Sequence, residues 1–263
     1  AVSYAINLWM TPGTVVDRTA LEAEYAAVKT AYERHGVTVL EIDQHPELPD
    51  MVFTANHGVV VGKRFIPANF LNDERKAESK LAAVFLDQHG YQAVDWPPSI
   101  TFEGQGDLLE TDDAYYFGRG IRSQRAAQST LAKLLPKPII PIELTDPRYF
   151  HLDTCFTPLG DLALVIRGAV SPASFTTIKE RIETVIEVGP TDAEQFACNM
   201  VQLDQTLLTG QGLSDSLKDQ LGQHGFTLEA LATAQYLKAG GSAKCLSLLW
   251  CDTGTAERSV GFD

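Results

Sequence analysis

Apolar and polar positions alternate along the chain in a pattern that recurs about every 47 residues. Each recurrence contains an apolar segment of strand length, two further apolar segments joined by a polar turn, and an amphipathic segment of helix length. Residues 107–120 show the hairpin most clearly, because polar residues separate two apolar runs there. Residues 72–90 show the helix, whose predicted apolar stripe comprises Ala77, Leu81, Val84 and Phe85. The pattern predicts an α/β fold of repeated strand–hairpin–helix units.

A polar residue precedes each predicted hairpin, at intervals of 46–48 residues. These residues are Asn56, Glu103, His151, Asn199 and Cys245. Five equivalent units predict a five-bladed, pseudo-symmetric α/β propeller, formed as one domain by residues 1–263. Equivalent positions of a ring converge on its axis, so we expect the five side chains to meet in a central funnel.

The charge of the chain narrows the class of partner. It contains 34 acidic and 21 basic residues, which gives a net charge of −13 at pH 7. Nucleic acids and anionic membranes attract basic surfaces, so we expect neither as a partner. The chain has no apolar run long enough to span a membrane. A small cationic molecule is compatible with this charge.

The four cysteines are scattered and include no CxxC pair, which indicates reduced thiols. The first ten residues lack the basic and apolar regions of a signal peptide. Together these features predict a cytoplasmic protein. Cys198 and Cys251 are expected to be core thiols.

Cys245 follows a glycine pair in the segment GGSAKC and is expected to open a strand over residues 245–250. Glycine allows a positive φ or a close approach of the backbone to a neighbour, and a buried inert thiol requires neither. An inert core cysteine remains the alternative. The register with Asn56, Glu103 and His151 favours a nucleophile.

The residues around His151 suit chemistry on a guanidinium group. His151 can protonate a leaving amine and then deprotonate a water. Strand alternation is expected to place Asp153 on the same face as His151. Asp153 and Glu103 offer two carboxylates, which pair well with a planar cation that has several N–H donors. The predicted reaction is attack of sulfur on a guanidinium carbon, loss of amine, and hydrolysis of the S-alkylthiouronium intermediate.

Other interpretations of these residues are open at this point. His151 and Cys155 are four residues apart, as metal ligands can be, but the chain offers no second ligand pair, so we expect neither a metal nor a cofactor. Glu103 could equally be a solvated loop residue. His57 is expected to be a histidine at the pocket edge or a structural one.

Four segments in order resemble the guanidino-group modifying enzymes of the pentein superfamily. They are FTAN (53–56), FEGQGD (102–107), HLDTCF (151–156) and GGSAKC (240–245), and the resemblance covers nearly the whole chain. It implies a five-bladed propeller, with Cys245 as nucleophile and His151 as acid and base. It also implies that Glu103 and Asp153 bind the guanidinium.

Two departures point to one subfamily. Asn56 stands where deiminases and dimethylarginine hydrolases usually have aspartate, and FEGQGD is one residue longer than the compact EGGD form. Both features look like the arginine dihydrolase domain of cyanobacterial bifunctional enzymes, which takes arginine to ornithine, CO2 and two ammonia molecules. An amide can donate as well as accept hydrogen bonds, so Asn56 suits a neutral ureido group.

The resemblance also implies that Arg75 and Arg122 bind the substrate α-carboxylate; the alternative is that both are surface arginines. Residues 7–13 could form a lid. The competing functions are a dimethylarginine hydrolase, a deiminase that stops at citrulline, and a binding module with the same fold. A homo-oligomer is compatible with all of them.

Overall fold

The structure is a computed structural model that describes residues 1–251 and 258–262. Its strands are β1 (Thr38–Glu41), β2 (Gly58–Val61), β3 (Arg64–Pro67), β4 (Gln92–Ala93), β5 (Leu108–Glu110), β6 (Tyr115–Arg119), β7 (Ile139–Glu143), β8 (Phe156–Leu159), β9 (Leu162–Val165), β10 (Thr184–Glu187), β11 (Val201–Leu203), β12 (Thr206–Gly210), β13 (Thr227–Leu231), β14 (Leu248–Cys251) and β15 (Arg258–Phe262). Its α-helices are α1 (Arg18–Arg34), α2 (Glu78–Gln88), α3 (Ala127–Leu134), α4 (Pro172–Arg181), α5 (Pro190–Ala193), α6 (Asp215–Gln223) and α7 (Ala234–Leu237).

The described strands form five three-stranded sheets of the same plan. In each sheet a hairpin supplies two antiparallel strands, and a third strand lies parallel to one of them. A helix connects the hairpin to the third strand in four sheets, as expected for a parallel crossover. The predicted repeat is therefore confirmed as a cyclic order of hairpin, helix and strand. The fifth sheet is completed by β1, which pairs with β15.

Local sequence explains where two of the crossover helices, α4 and α6, begin. The hydroxyl of Ser171 accepts the backbone N–H of Ser174 at the start of α4, and Pro172 occupies the first helical position. Ser214 caps α6 in the same way through the N–H of Leu217. Leu217 and Leu221 then lie one turn apart and are both buried. These helices pack against the sheets. The functional residues lie instead on the segments that lead into the hairpins.

The structure corrects the predicted face of the second helix. Val84 is exposed, and α2 instead buries Ala82, Leu86 and the polar residues Glu78 and Ser79. The apolar spacing misled because the carboxylate of Glu78 turns inward to pair with Arg75. The long helix α1 was not predicted from the repeat at all, because it precedes the first unit.

Two predictions of local structure near the functional residues are also wrong. Cys245 lies in a turn, and β14 begins only at Leu248. His151 and Asp153 do not share a strand face, because residues 152–154 form a short 3₁₀ helix. No helix within residues 1–251 is long and apolar enough to cross a bilayer.

Candidate active site

The five polar residues that precede the hairpins meet in space, as predicted. Nδ2 of Asn56 lies 3.5 Å from Nδ1 of His151, and Nε2 of His151 lies 2.6 Å from Oε2 of Glu103. Nδ2 of Asn199 lies 3.1 Å from Sγ of Cys245. Asn56, His151 and Cys245 line one pocket, and all five side chains are at most 2% exposed. Residues far apart in sequence therefore form one buried polar cluster.

The glycines flanking the site are required by geometry. Gly240 has a φ of +82°, which favours glycine. A Cβ on Gly241 would lie 2.2 Å from the ring of Phe53, and one on Gly106 would lie 2.3 Å from Nδ2 of Asn56. The glycine pair before Cys245 therefore shows both expected features, since Gly240 has a positive φ and Gly241 lies in close contact with Phe53.

The FTAN segment holds the turn that contains Cys245. The N–H of Ala55 donates to the carbonyl of Cys245 at 3.2 Å. The hydroxyl of Thr54 donates to the carbonyl of Leu246 at 2.8 Å and accepts the N–H of Leu248 at 3.0 Å. Two sequence motifs nearly 200 residues apart thus form a single local structure.

Glu103 is buried and held ionised by its partners. Its carboxylate accepts the Leu71 N–H, Nη1 of Arg122 and Nε2 of His151. Burial alone would raise the pKa of Glu103, but Arg122 and His151 outweigh it and lower the pKa to about 2. The alternative of a solvated loop residue is therefore wrong.

His151 is neutral at pH 7 in this arrangement, because burial lowers its pKa to about 4 although Glu103 opposes the shift. A neutral ring has one N–H donor. The carboxylate of Glu103 can only accept, so Nε2 holds the hydrogen and Nδ1 presents a lone pair toward Asn56. The loop before β8 is itself fixed by buried Asp107, which accepts the N–H of Leu152 at 3.1 Å.

Asn56 is oriented by Arg75. Nη1 of Arg75 donates to Oδ1 of Asn56 at 2.9 Å, so the amide nitrogen must face His151 and the pocket. The amide thus presents N–H donors to a ligand, as its predicted role in binding a ureido group requires.

Cys245 is buried beside Asp153, whose Oδ2 lies 3.6 Å from Sγ. Burial raises the pKa of Cys245, and the charge of Asp153 raises it further, while Asn199 and Lys244 lower it. Burial likewise raises the pKa of Asp153 to about 7, and Lys244 opposes that shift. Oδ1 of Asp153 has no hydrogen-bond partner. A cation in the pocket would satisfy this carboxylate and stabilise the thiolate.

Both predicted carboxylate-binding arginines are buried, so neither is a surface residue. Nε and Nη2 of Arg75 donate to the carboxylate of Glu78, which is fully buried in α2. Nη2 of Arg122 donates to the carbonyl of Ile6 at 2.5 Å, and its guanidinium lies 4.8 Å from the ring centre of Phe150. Both arginines line the pocket, but the nitrogens of Arg75 all bond to protein groups within it, whereas Arg122 contacts the segment that covers it.

The pocket is closed in this structure. Its cavity measures about 10 Å³, which is room for one water and not for an amino acid. Ile6 and Asn7 lie over it, and Nδ2 of Asn7 donates to the carbonyl of Ala239 at 3.1 Å. The indole of Trp9 donates to the carbonyl of Arg148 at 2.7 Å. These two bonds hold the segment before α1 in place over the cavity.

Sequence reasoning missed several site residues. Asp50 lines the pocket beside Arg75, and burial raises its pKa to about 6. Asn199 was one of the five repeated polar positions but was assigned no role. Its spacing from the other four was sufficient to predict that it belongs to the site. Lys244 donates to Oε1 of Gln105 at 2.9 Å, so the additional residue of FEGQGD contacts the neighbour of Cys245.

The remaining predictions have mixed outcomes. His57 is buried, with Nε2 3.4 Å from the Glu78 carboxylate, so it is structural. Cys198 is a core thiol as predicted, but Cys251 is exposed at the end of β14, where its side chain leaves the sheet core. Within residues 1–251, no three His, Cys, Asp or Glu side chains are grouped as metal ligands would be.

The fold and this cluster define a family that comparison with known proteins identifies. Residues 9–248 match the family described as eukaryotic N,N-dimethylarginine dimethylhydrolase. The chain belongs to this family, which confirms the predicted resemblance.

Two curated relatives differ in their activities. The bifunctional arginine dihydrolase/ornithine cyclodeaminase of Nostoc sp. is 34% identical over 94% of this chain, which spans 36% of that protein's length. The dimethylarginine dimethylaminohydrolase of Mycobacterium tuberculosis is also 34% identical over 94% of this chain, with 82% of the relative covered.

A solved structure matches the fold closely. The N-terminal domain of a cyanobacterial arginine dihydrolase, a cysteine-to-serine mutant bound to its substrate, superposes with a TM-score of 0.89. It is 32% identical, and the match covers 93% of this chain and 92% of that domain. This chain therefore corresponds to a whole α/β domain of that enzyme.

Proposed function

We propose that this protein is an arginine dihydrolase that converts L-arginine and two waters to ornithine, CO2 and two ammonia molecules. The observation that supports it best is the meeting of Asn56, His151 and Cys245 at one closed pocket, with Glu103 bonded to His151 and Asp153 beside Cys245. We also propose that the five sheets are blades of a propeller around this pocket. Their common plan and the position of one site residue before each hairpin support that arrangement.

The first half-reaction uses the two carboxylates as guanidinium ligands. A guanidinium between Asp153 and Glu103 places a positive charge beside Sγ of Cys245, which favours the thiolate. Nδ1 of His151 takes the thiol proton as the sulfur attacks the guanidinium carbon, and it then gives that proton to the departing nitrogen, which leaves as ammonia. His151 then takes a proton from water, which attacks the thiouronium carbon and releases the sulfur, leaving citrulline.

The second half-reaction repeats the attack on a neutral group. The N–H donors of Asn56 hold the ureido group in place, and the sulfur displaces the second ammonia. Water then releases a carbamate, which breaks down to ornithine and CO2. An aspartate at position 56 would add a negative charge and offer the ureido group no N–H donor. The amide of Asn56 therefore favours this second round of attack.

The other end of the substrate requires groups for an amino acid. Arg122 is suited to the α-carboxylate, because its Nη2 atom is occupied only by the backbone of Ile6. Asp50 is suited to the α-ammonium. Residues 7–13 are proposed to act as a lid together with Ile6, since opening this segment frees both the cavity and Arg122.

Dimethylarginine hydrolysis to citrulline is the second candidate, favoured by the family match and by the relative from Mycobacterium tuberculosis. A non-catalytic binding module is disfavoured by the buried nucleophile and its partners.

The deciding experiment incubates the protein separately with arginine, citrulline, dimethylarginine and agmatine and identifies the products. Ornithine with two ammonia per arginine is expected. Citrulline and a methylamine from dimethylarginine, with arginine inert, would replace the proposal by the second candidate. No turnover of any substrate, with no reactive thiol, would indicate a binding module.

A further inference from the structure

Asn199 makes a set of contacts that surrounds the nucleophile. Oδ1 of Asn199 accepts the backbone N–H of Lys244 at 3.0 Å and that of Cys245 at 3.1 Å. Nδ2 donates to Sγ of Cys245 at 3.1 Å and to the carbonyl of Asp153 at 3.3 Å. One side chain thus contacts the backbone of the cysteine turn, the sulfur, and the 3₁₀ helix of Asp153.

The orientation of this amide is fixed by its partners. Two backbone N–H groups point at one end of the Asn199 amide, and an N–H group cannot accept a hydrogen bond. That end must be the oxygen, so the NH2 group must face the sulfur and the carbonyl of Asp153. Asn199 is fully buried, which prevents water from replacing the contact.

We propose that Asn199 is a positioning residue for the reaction, which sets the Cys245 turn and donates an N–H to the sulfur as it becomes anionic. The inference rests on the proposed role of Cys245 as nucleophile. Hydrogen bonds to charged acceptors are stronger than those to neutral ones, so the Asn199 contact strengthens as the thiol ionises. The amide therefore favours the thiolate without adding a charge to the pocket.

The other groups around the sulfur do not donate a hydrogen bond to it. Asp153 lies 3.6 Å from Sγ and disfavours a second negative charge. Lys244 is the adjacent cation, but its ammonium is held by Gln105 and the carbonyl of Ser247. His151 lines the same pocket, with its N–H directed to Glu103. Asn199 is the side chain described here that donates directly to the sulfur.

The test measures the ionisation of Cys245 by its rate of alkylation with iodoacetamide across pH. All proteins contain Cys251→Ser, because that thiol is exposed, and the modified peptide is identified by mass spectrometry. Asn199→Ala removes the donor, and Asn199→Asp replaces it with an acceptor that can be charged. We expect the thiol pKa to rise in the order wild type, Ala, Asp, with a first step of about one to two units.

At a fixed pH below the thiol pKa, the same shift slows alkylation by about tenfold to a hundredfold. A purely structural role predicts the opposite sign, because a loosened turn exposes a buried thiol and speeds alkylation. Ser247→Ala is the matched control, since Ser247 is buried two residues from Cys245 and its hydroxyl bonds to Tyr32 and to the carbonyl of Ala243. The control should leave the thiol pKa unchanged.

The outcomes separate this inference from the proposed function. Alkylation of both Asn199 variants at the wild-type rate or faster would overturn the role of Asn199 and leave Cys245 as nucleophile. A wild-type Cys245 that does not react at any pH would overturn the nucleophile and this inference with it. If Asn199→Asp does not fold, the Ala variant alone decides. The Asn199→Ala variant should turn over arginine with a lower kcat and with KM changed by less than about threefold, since Asn199 does not line the pocket.

Discussion

Nε2 of His151 lies 2.6 Å from Oε2 of Glu103, and both side chains are buried. This contact directs the only N–H of the neutral ring away from the pocket. The lone pair on Nδ1 is then the basic group that Asn56 contacts. Because burial lowers the pKa of His151 to about 4, the ring is unprotonated at pH 7 and can accept a proton released during the reaction.

Replacing the nucleophile is the most direct prediction. Cys245→Ser should lower turnover by about a thousandfold or more, because a serine hydroxyl beside Asp153 lacks the acidity of a thiol. Cys251→Ser is the control, since this thiol is exposed and does not line the pocket, and it should retain the wild-type rate. The measurement is initial rate on arginine, and a Cys245→Ser rate above about a tenth of wild type would disprove the assignment.

The two arginines are expected to behave differently. Arg122→Ala should reduce kcat/KM for arginine about ten- to a hundredfold more than for agmatine, which has no carboxylate. Arg75→Ala should reduce both equally and also lower the free energy of unfolding by about 3–5 kcal/mol, because it removes the cation that pairs with the buried carboxylate of Glu78. Equal losses on both substrates for Arg122→Ala would contradict its proposed role.

Asn56→Asp should shift the product from ornithine toward citrulline. The aspartate would pair with Arg75 but would offer the ureido group and Nδ1 of His151 no donor. The measurement is the ornithine-to-citrulline ratio, with ammonia counted per arginine consumed. An unchanged ratio at comparable arginine consumption would mean that Asn56 does not govern the second round.

The rate should depend on pH through Asp153. Burial raises its pKa to about 7, so the carboxylate is increasingly protonated as the pH falls below that value. The protonated form cannot pair with the guanidinium, and kcat/KM for arginine should fall on the acidic side of about pH 7. Arginine stays cationic over this pH range, so the fall in kcat/KM would report the titration of a group in the protein. Constant kcat/KM from about pH 8 to about pH 5.5 would refute this assignment.

The glycine pair before Cys245 can be tested by stability. Gly241→Ala should lower the free energy of unfolding by about 1–3 kcal/mol, because its Cβ would collide with the ring of Phe53. Gly222→Ala is the matched control in α6, where no atom lies within 4 Å of the added Cβ, and it should stabilise by about 0.5–1 kcal/mol. Thermal unfolding of both variants measures the difference, and a Gly241→Ala variant as stable as wild type would contradict the close contact.

The sequence was most informative where a signal repeats. The register of 46–48 residues located the five polar positions, because each unit has the same plan of hairpin, helix and strand. It could not place His151 and Asp153 relative to each other, since a single 3₁₀ turn leaves no periodic signal. Glu78 and Asp50 were missed because their importance depends on the burial of Arg75, which the repeat pattern does not reveal.

The pairing of β1 with β15 has a consequence for how the protein is made. Thr38 is opposite Ser259, 221 positions later in the chain, so this sheet cannot close until that segment has been synthesised. Such distant pairing favours slow folding, and an unpaired strand edge persists during synthesis. The hairpin that completes this sheet also begins just after Cys245. We therefore expect the turn that holds Cys245 to settle only after β15 has paired with β1.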